Sequence, residues 1–482
     1  MPVFSNSTVV SGFLSHAGSA AAAISPKSLR RCEDSLGLLL THRGSPLSEI
    51  EAVIADDHEC LLAHCIRAAL VVCTDGDPGI LEESVSTIEA AGTSELMRRH
   101  ASAARAWLDG NDVLAAESYG AIVDDQPRDI LALVAAHALD FRLGQRRLLR
   151  DRIAKVLNEW GPADSCYASI LSMYAFGLVE NGQYHRAERS ARRALALDAH
   201  HLGAIHVIAH VMEMQGRARE GLEFLAATQP AWIQNNNFAV HLAWHRGLFY
   251  LDADDPGSAL AVYDSQIALA RASDMCVLAD ASALLWRLQL RNIEVGERWQ
   301  LLADRWEAQE FTGARPFYII HAIMAFAATA RGAAVARALR ALPQSNTMQT
   351  QQLTPEEMLA LPFSEALVAF VRKDYAAAIK SLTYVRKITD RCGGSLAQCD
   401  LIHLTFTEAA LRASKIRLAR ELVLERAAQK PASVLNLLLR ARLGRLIAFA
   451  QMKQFSRVLG HRAKAFASRS MLQRPSYARE TL

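Results

Sequence analysis

Cysteine is scarce in this chain, with 8 in 482 residues. Cys60 and Cys65 lie five apart, Cys392 and Cys399 seven apart, and neither is a C-x-x-C pair. That excludes a disulfide framework and leaves the cysteines as small apolar core residues, with a reducing cytoplasm as the expected location. Proline is also sparse at 14 residues, which leaves room for many uninterrupted helices. The formal net charge is only +3, too little for a whole-molecule field that recruits nucleic acid, so nucleic acid is left off the expected partners. No uninterrupted apolar run approaches the roughly 20 residues that span a bilayer, so no membrane partner is expected either. Met1–Ser25 lacks a basic opening followed by an apolar core, so no secretory signal is expected. No convincing alternation of apolar and polar residues marks a strand, which points to an all-α fold.

What the chain does contain is enough apolar material for extensive burial, 51% of its residues, in a length that exceeds one compact core. Several domains or one elongated repeat array follow. Ser28–Leu40 and Leu47–Thr74 carry apolar residues at helical spacing on either side of Gly44-Ser45-Pro46, and Asp75-Gly76-Asp77-Pro78-Gly79 is a strong turn. A repeat then becomes countable. Gly110-Asn111-Asp112 is followed by Ala115, Tyr119 and Pro127, and Gly144 stands 34 residues after Gly110. Gly182-Gln183-Tyr184, Ala187, Ala194 and Asp198 repeat the pattern, and Gly216 and Gly221 stand 34 residues after Gly182 and Ala187. This is the tetratricopeptide period, a helix–turn–helix unit that buries its apolar face only by stacking on neighbours. Looser copies are Asp254-Asp255-Pro256 with Ala259 and Tyr263, Lys373-Asp374-Tyr375 with Ala378, and Ser414-Lys415-Ile416 with Ala419 and Pro431. Helical segments such as Val277–Arg291, Phe317–Arg331 and Leu435–Gln451 fill the intervals. The expected architecture is an α-solenoid of such repeats, with a tightly curved superhelix as one form of it. It divides into a partly ordered segment (1–27), an N-terminal helical cap (28–95), regular repeats (96–270) and divergent C-terminal repeats with a basic cap (271–482).

In this repeat class the first helix of each pair lines the concave face, with positions 2, 5, 9 and 12 turned into the groove. Counting back from Gly216 as position 15 places His206 at 5, His210 at 9 and Glu213 at 12, all on one helical face. Counting back from Asp254 places His241 at 2, Trp244 at 5 and His245 at 6. A histidine pair at i, i+4 can hold a divalent metal, here with His206, His210 and Glu213 as candidate ligands. Alternatively, the imidazoles of His206, His210, His241 and His245 can serve as general acid and base. Histidine is also an ordinary residue between packed helices, bonded to a neighbour. The pattern is not H-E-x-x-H, and no cofactor motif is present.

Gly393-Gly394-Ser395, ahead of Gln398 and Asp400, reads either as an N-cap with a flexible lead-in or as an anion-binding turn at a helix start. His321 sits mid-helix near a groove register. His64 and His137 read as packing residues, His137 at the small contact position 8. Arg440, Arg442, Arg445, Lys453, Arg457, Arg462, Lys464, Arg469, Arg474 and Arg479 make the C-terminus basic, a solvated capping face or a surface for an acidic partner.

These residues resemble the tetratricopeptide repeat protein 38 family. The similarity runs through Arg98–His100, Gly110–Pro127, Tyr174–Asp198, His206–Met214, His241-x-x-Trp244-His245, Tyr263-Asp264, Arg287-Leu288-Gln289 and Val295-Gly296-Glu297-Arg298-Trp299. It continues through Gly393-Gly394-Ser395-x-Ala397-Gln398-x-Asp400 and Glu425-Arg426 to Lys430-Pro431. The resemblance implies a helical solenoid and no particular activity. It also marks two departures: Ile319 stands where relatives tend to have Asp shortly before the histidine matching His321, and Cys399 stands where they tend to have Arg before Asp400. Both put specificity or activity at a family site in doubt.

Three functions remain open. The favoured one is a binding solenoid whose groove, lined by His206, His210, Glu213, His241, Trp244, His245, His321, Gln398 and Asp400, takes a peptide, protein or small-molecule ligand. The alternative is an enclosed enzyme using histidine acid–base chemistry or metal-assisted hydrolysis. The third is a structural array with its histidines buried. No Ser, Cys or Lys stands out as an activated nucleophile, and the oligomeric state is left open. Approach of Gly393–Asp400 and His321 to His206 separates an enclosed site from an open groove.

Overall fold

The computed structural model describes residues 24–233, 237–270, 274–343 and 353–472, with side chains as far as 456. Residues 1–23 of the expected N-terminal segment lie outside it, as do Arg474, Arg479 and the side chains of Arg457, Arg462, Lys464 and Arg469. Every regular element among the described residues is helical. The first half comprises α1 (Pro26–Thr41), α2 (Pro46–Asp56), α3 (Leu61–Thr74), α4 (Pro78–Ala90), α5 (Glu95–Leu108), α6 (Asp112–Asp125), α7 (Ile130–Arg142), α8 (Arg146–Val156), α9 (Tyr167–Glu180) and α10 (Tyr184–Leu197). The middle comprises α11 (Leu202–Gln215), α12 (Ala218–Trp232), α13 (Asn237–Asp252), α14 (Pro256–Val262), α15 (Met275–Leu290) and α16 (Arg298–Glu307). It closes with α17 (Pro316–Ala328), α18 (Gly332–Ala341), α19 (Pro355–Val371), α20 (Tyr375–Val385), α21 (Leu396–Arg412), α22 (Ile416–Gln429) and the long α23 (Val434–Leu472).

The turn between paired helices follows one backbone rule. Gly110, Gly144, Gly182 and Gly216 all have φ between 66° and 74°, the left-handed conformation that ends a helix and feeds the next. Asp254, Lys373 and Ser414 adopt the same conformation at φ 65°, 64° and 55°, so the looser copies are true repeats with a costlier residue at the turn. Asn292 and Ala330 do so as well, although no repeat marker flags them in the sequence. Leu47–Thr74, which reads as one helical stretch, is two helices that part at Asp57, whose carboxylate accepts from the Glu59 amide at 3.1 Å.

Small residues let the helices approach. Ala187, Ala191 and Ala194 on α10 are fully buried, and a Cβ on Gly177 would lie 2.6 Å from Arg150 Cα, so α8 and α9 touch backbone to backbone there.

The array does not remain open. Asp75, after α3, is held by Arg142 at 2.5 Å and by Arg315, ahead of α17, at 3.1 Å. The strand of chain at 391–399 lies across the α7–α8 turn, where Gly393 meets the Arg142 carbonyl and a Cβ on Gly144 would sit 2.5 Å from the Cys392 carbonyl oxygen. The Leu396 amide donates to Glu180 at 3.0 Å, and the rings of His42 and Phe238 stack at 4.4 Å and 6°. One superhelical turn therefore rests on the next, which is the tightly curved form. His42 and Cys276 keep open surface, yet burial pulls the His42 imidazole down to about 4 and pushes the Cys276 thiol up to about 12. Both face a hollow walled by protein rather than bulk solvent.

Candidate functional site

Helix α11 starts at His201, whose imidazole accepts from the Ala204 amide at 3.2 Å as an N-cap. From that start, the i, i+4 spacing sets His206 and His210 one above the other. Helix α13 packs beside α11 and presents His241 and His245 at the same spacing. The Nε2 of His206 lies 2.8 Å from Nε2 of His210 and 3.1 Å from Nε2 of His241. The His245 ring sits 4.5 Å from that of His210 and 4.9 Å from that of His241. One nitrogen of each imidazole lies within 4.8 Å of those of the other three. The two hairpins thus share one polar centre.

Two carboxylates stand behind it. Asp280 on α15 accepts from His241 Nδ1 at 2.8 Å, and Glu213 accepts from His245 Nδ1 at 3.0 Å. Each fixes the proton on Nδ1 and leaves an Nε2 lone pair turned to the centre. His245 Nε2 is buried and has no hydrogen-bond partner among the described residues. Burial, then the neighbouring imidazoles, hold His206 and His210 well below the usual histidine range. Burial also lowers His245 against the pull of Glu213. At His241 burial acts downward, but the Asp280 carboxylate outweighs it and the pKa rises. His241 is therefore the ring that takes a proton first.

Aromatic side chains surround the centre. Phe176 stacks on His206 at 5.8 Å, and Phe238 meets His206 edge-on at 5.1 Å while carrying His42 on its face. His206 and His241 reach the hollow, whereas His210 and His245 sit behind them, fully enclosed.

Several expectations require correction. Glu213 is not one of the converging groups. Its carboxylate is shared by His245 and by Lys430 Nζ at 3.2 Å, and Lys430, more than burial, decides its charge and holds it low. Trp244 does not face a ligand: it is 0% exposed, stacked under His241 at 5.2 Å with the Arg287 guanidinium over its ring. Gln398 is occupied by a capping box, exchanging hydrogen bonds with Ser395, so the N-cap reading of Gly393-Gly394-Ser395 holds. Asp400 is buried against Arg426 at 3.0 Å and Lys430 at 3.2 Å, and so joins the centre only through Lys430 and Glu213. His321 donates or accepts at the Phe317 carbonyl, 2.7 Å away, and belongs to the neighbouring wall. Ile319 is sealed in the core, and Cys399 lies 3.9 Å from Arg146. His64 packs as expected, against Ser84 and the His58 carbonyl. His137 is half-buried beside Phe176.

No family model matches the chain. Among solved structures it is similar to a human IFIT1 dimer with PPP-AAAA and to a human IFIT1 dimer with m7Gppp-AAAA. Each is 12% identical with a TM-score of 0.38, and each alignment covers 92% of this chain and 96% of the other. The expectation that excluded nucleic acid is overturned by these matches, because helical-repeat chains solved with such ligands are among its structural neighbours. A net charge averaged over the whole chain says little about the local groups that line a hollow.

Sequence reasoning missed Asp280, Lys430 and His42. Asp280 lies in a repeat whose turn residue, Asn292, is no glycine, so its register could not be counted. Lys430 stood out only inside a family motif. His42 arrives from α1, nearly 200 residues before Phe238, and nothing local announces that contact. Among the described residues no helix is long and apolar enough to cross a membrane.

Proposed function

We propose that this chain is a ligand-binding helical array of the tetratricopeptide repeat protein 38 type, and that its enclosed hollow takes a small polar ligand at His206 and His241. The observation that carries the reading is the convergence of four imidazoles on a wall that also exposes His42 and Phe238, within an array closed by contacts between its two ends. Such a wall combines apolar ring surface with a few aimed polar atoms, the usual make-up of a small-molecule site. Closure disfavours the extended peptide that an open groove would hold. The motifs shared with that family, from His206–Met214 to Lys430-Pro431, support the assignment. The free thiols of all eight cysteines suit a reducing cytoplasm.

The test is a thermal-shift panel of small carboxylates, phosphates and amines on the wild-type chain and on His241→Ala. At least one compound class should raise the melting temperature of the wild type and leave that of the variant unmoved. If no compound distinguishes the two proteins, the reading is wrong.

A further inference from the structure

The four imidazoles present more lone pairs than their protons can bridge. His241 and His245 give their Nδ1 protons to Asp280 and Glu213, so both Nε2 atoms face inward without hydrogen. His206 Nε2 touches His210 Nε2 at 2.8 Å and His241 Nε2 at 3.1 Å. If His206 carries its proton there, it can give it to only one of them; if it does not, it meets the bare His241 nitrogen lone pair to lone pair. His245 Nε2, in a fully buried side chain, faces the same point with no proton offered to it. Converging nitrogen lone pairs repel unless a cation stands between them.

We propose that His206, His210, His241 and His245 bind one divalent transition metal through their Nε2 atoms, with Asp280 and Glu213 as the carboxylates behind His241 and His245. The proposal takes the same site as the ligand reading above and rests on that wall being a binding surface. An all-imidazole donor set suits zinc, cobalt, nickel or copper and disfavours magnesium or calcium, which take oxygen donors. In a tetrahedral zinc site, bonds of about 2.0–2.1 Å place neighbouring nitrogens about 3.3–3.4 Å apart. The spread here, from 2.8 Å to within 4.8 Å, brackets that edge, so rotation of the rings about their side-chain bonds brings all four into range. Carboxylates that hold the far nitrogen of a ligating histidine are the usual orienting partners of such sites, and this cluster has two. His206 and His241 reach the hollow, so a ligand there would approach the metal from their side.

The experiment uses full-length protein purified without a histidine tag and stripped with a chelator. Cobalt(II) is titrated in while its visible d–d bands are followed, zinc then displaces it, and bound metal is counted by elemental analysis. One equivalent of cobalt with tetrahedral bands is expected, lost in His210→Ala and unchanged in His185→Ala, whose histidine is exposed and remote from the cluster. Asp280→Asn keeps all four ligands but loses the anionic acceptor, and should bind about 10–100-fold more weakly. It keeps the test decisive if His210→Ala does not fold. A folded wild type that takes up neither cobalt nor zinc overturns the proposal, as does uptake that His210→Ala and Asp280→Asn leave unaltered. Metal uptake with a failed compound panel would sink the small-ligand reading alone, and a successful panel without metal would sink the metal alone.

Discussion

The Leu396 amide donates to the Glu180 carboxylate at 3.0 Å across 216 residues of chain, and that bond ties the C-terminal repeats to the first superhelical turn. The carboxylate is 4% exposed and burial pushes its pKa up to about 7, against the pull of Arg146 and the Leu396 amide. A raised folded-state pKa means the stabilising, protonated form is fully present below the unfolded value near 4.5 and is lost as pH rises through about 7. Chemical denaturation should therefore find Glu180→Gln more stable than the wild type at pH 8, by about 1–3 kcal/mol, and equal to it at pH 4. Equal stability at both pH values would contradict the burial argument.

Lys430 is the hinge of the charge network, 3.2 Å from both Glu213 and Asp400 and almost fully buried with them. Removing one member of a buried ionic set leaves the others uncompensated. Lys430→Met should cost about 3–5 kcal/mol of stability, whereas the exposed Lys380→Met should change it little. Urea unfolding of the two variants decides the point. A small effect at Lys430 would show that Arg426 alone neutralises Asp400 and that Glu213 takes up a proton.

Gly144 and Gly182 occupy equivalent turns with φ of 66° and 71°, but only Gly144 abuts another part of the chain, the backbone at 391–392. Alanine at Gly182 should cost only the left-handed strain, about 1–2 kcal/mol. Alanine at Gly144 should cost that and also push the 391–399 segment away, read as faster hydrogen exchange at the Leu396 amide. Equal exchange in the two variants would argue that the segment is not held there.

The repeat was legible because its turn needs a positive φ, which glycine supplies at the lowest cost: four glycines and a constant spacing located eight helices. Recognition faded where Asp254, Asn292, Ala330, Lys373 and Ser414 took the turn instead, since no residue type other than glycine announces that conformation. The histidine pairs were legible for a similar reason, because helical spacing alone aligns 206 with 210 and 241 with 245. Their surroundings were not. Whether Trp244 lines a groove or lies under a histidine depends on how tightly the array curves, and curvature arises from contacts between residues hundreds of positions apart, such as Asp75 with Arg315. The same closure turned Glu213 and Asp400 from groove residues into partners of Lys430.

The most direct test of the account is imidazole nitrogen NMR on the metal-free protein in mildly alkaline buffer, with assignment by single His→Gln variants. The account predicts that His241 and His245 are both neutral with the proton on Nδ1, held by Asp280 and Glu213, and with Nε2 bare. Finding the proton on Nε2 of both rings would mean that no lone pairs converge between the two hairpins, and would contradict the site.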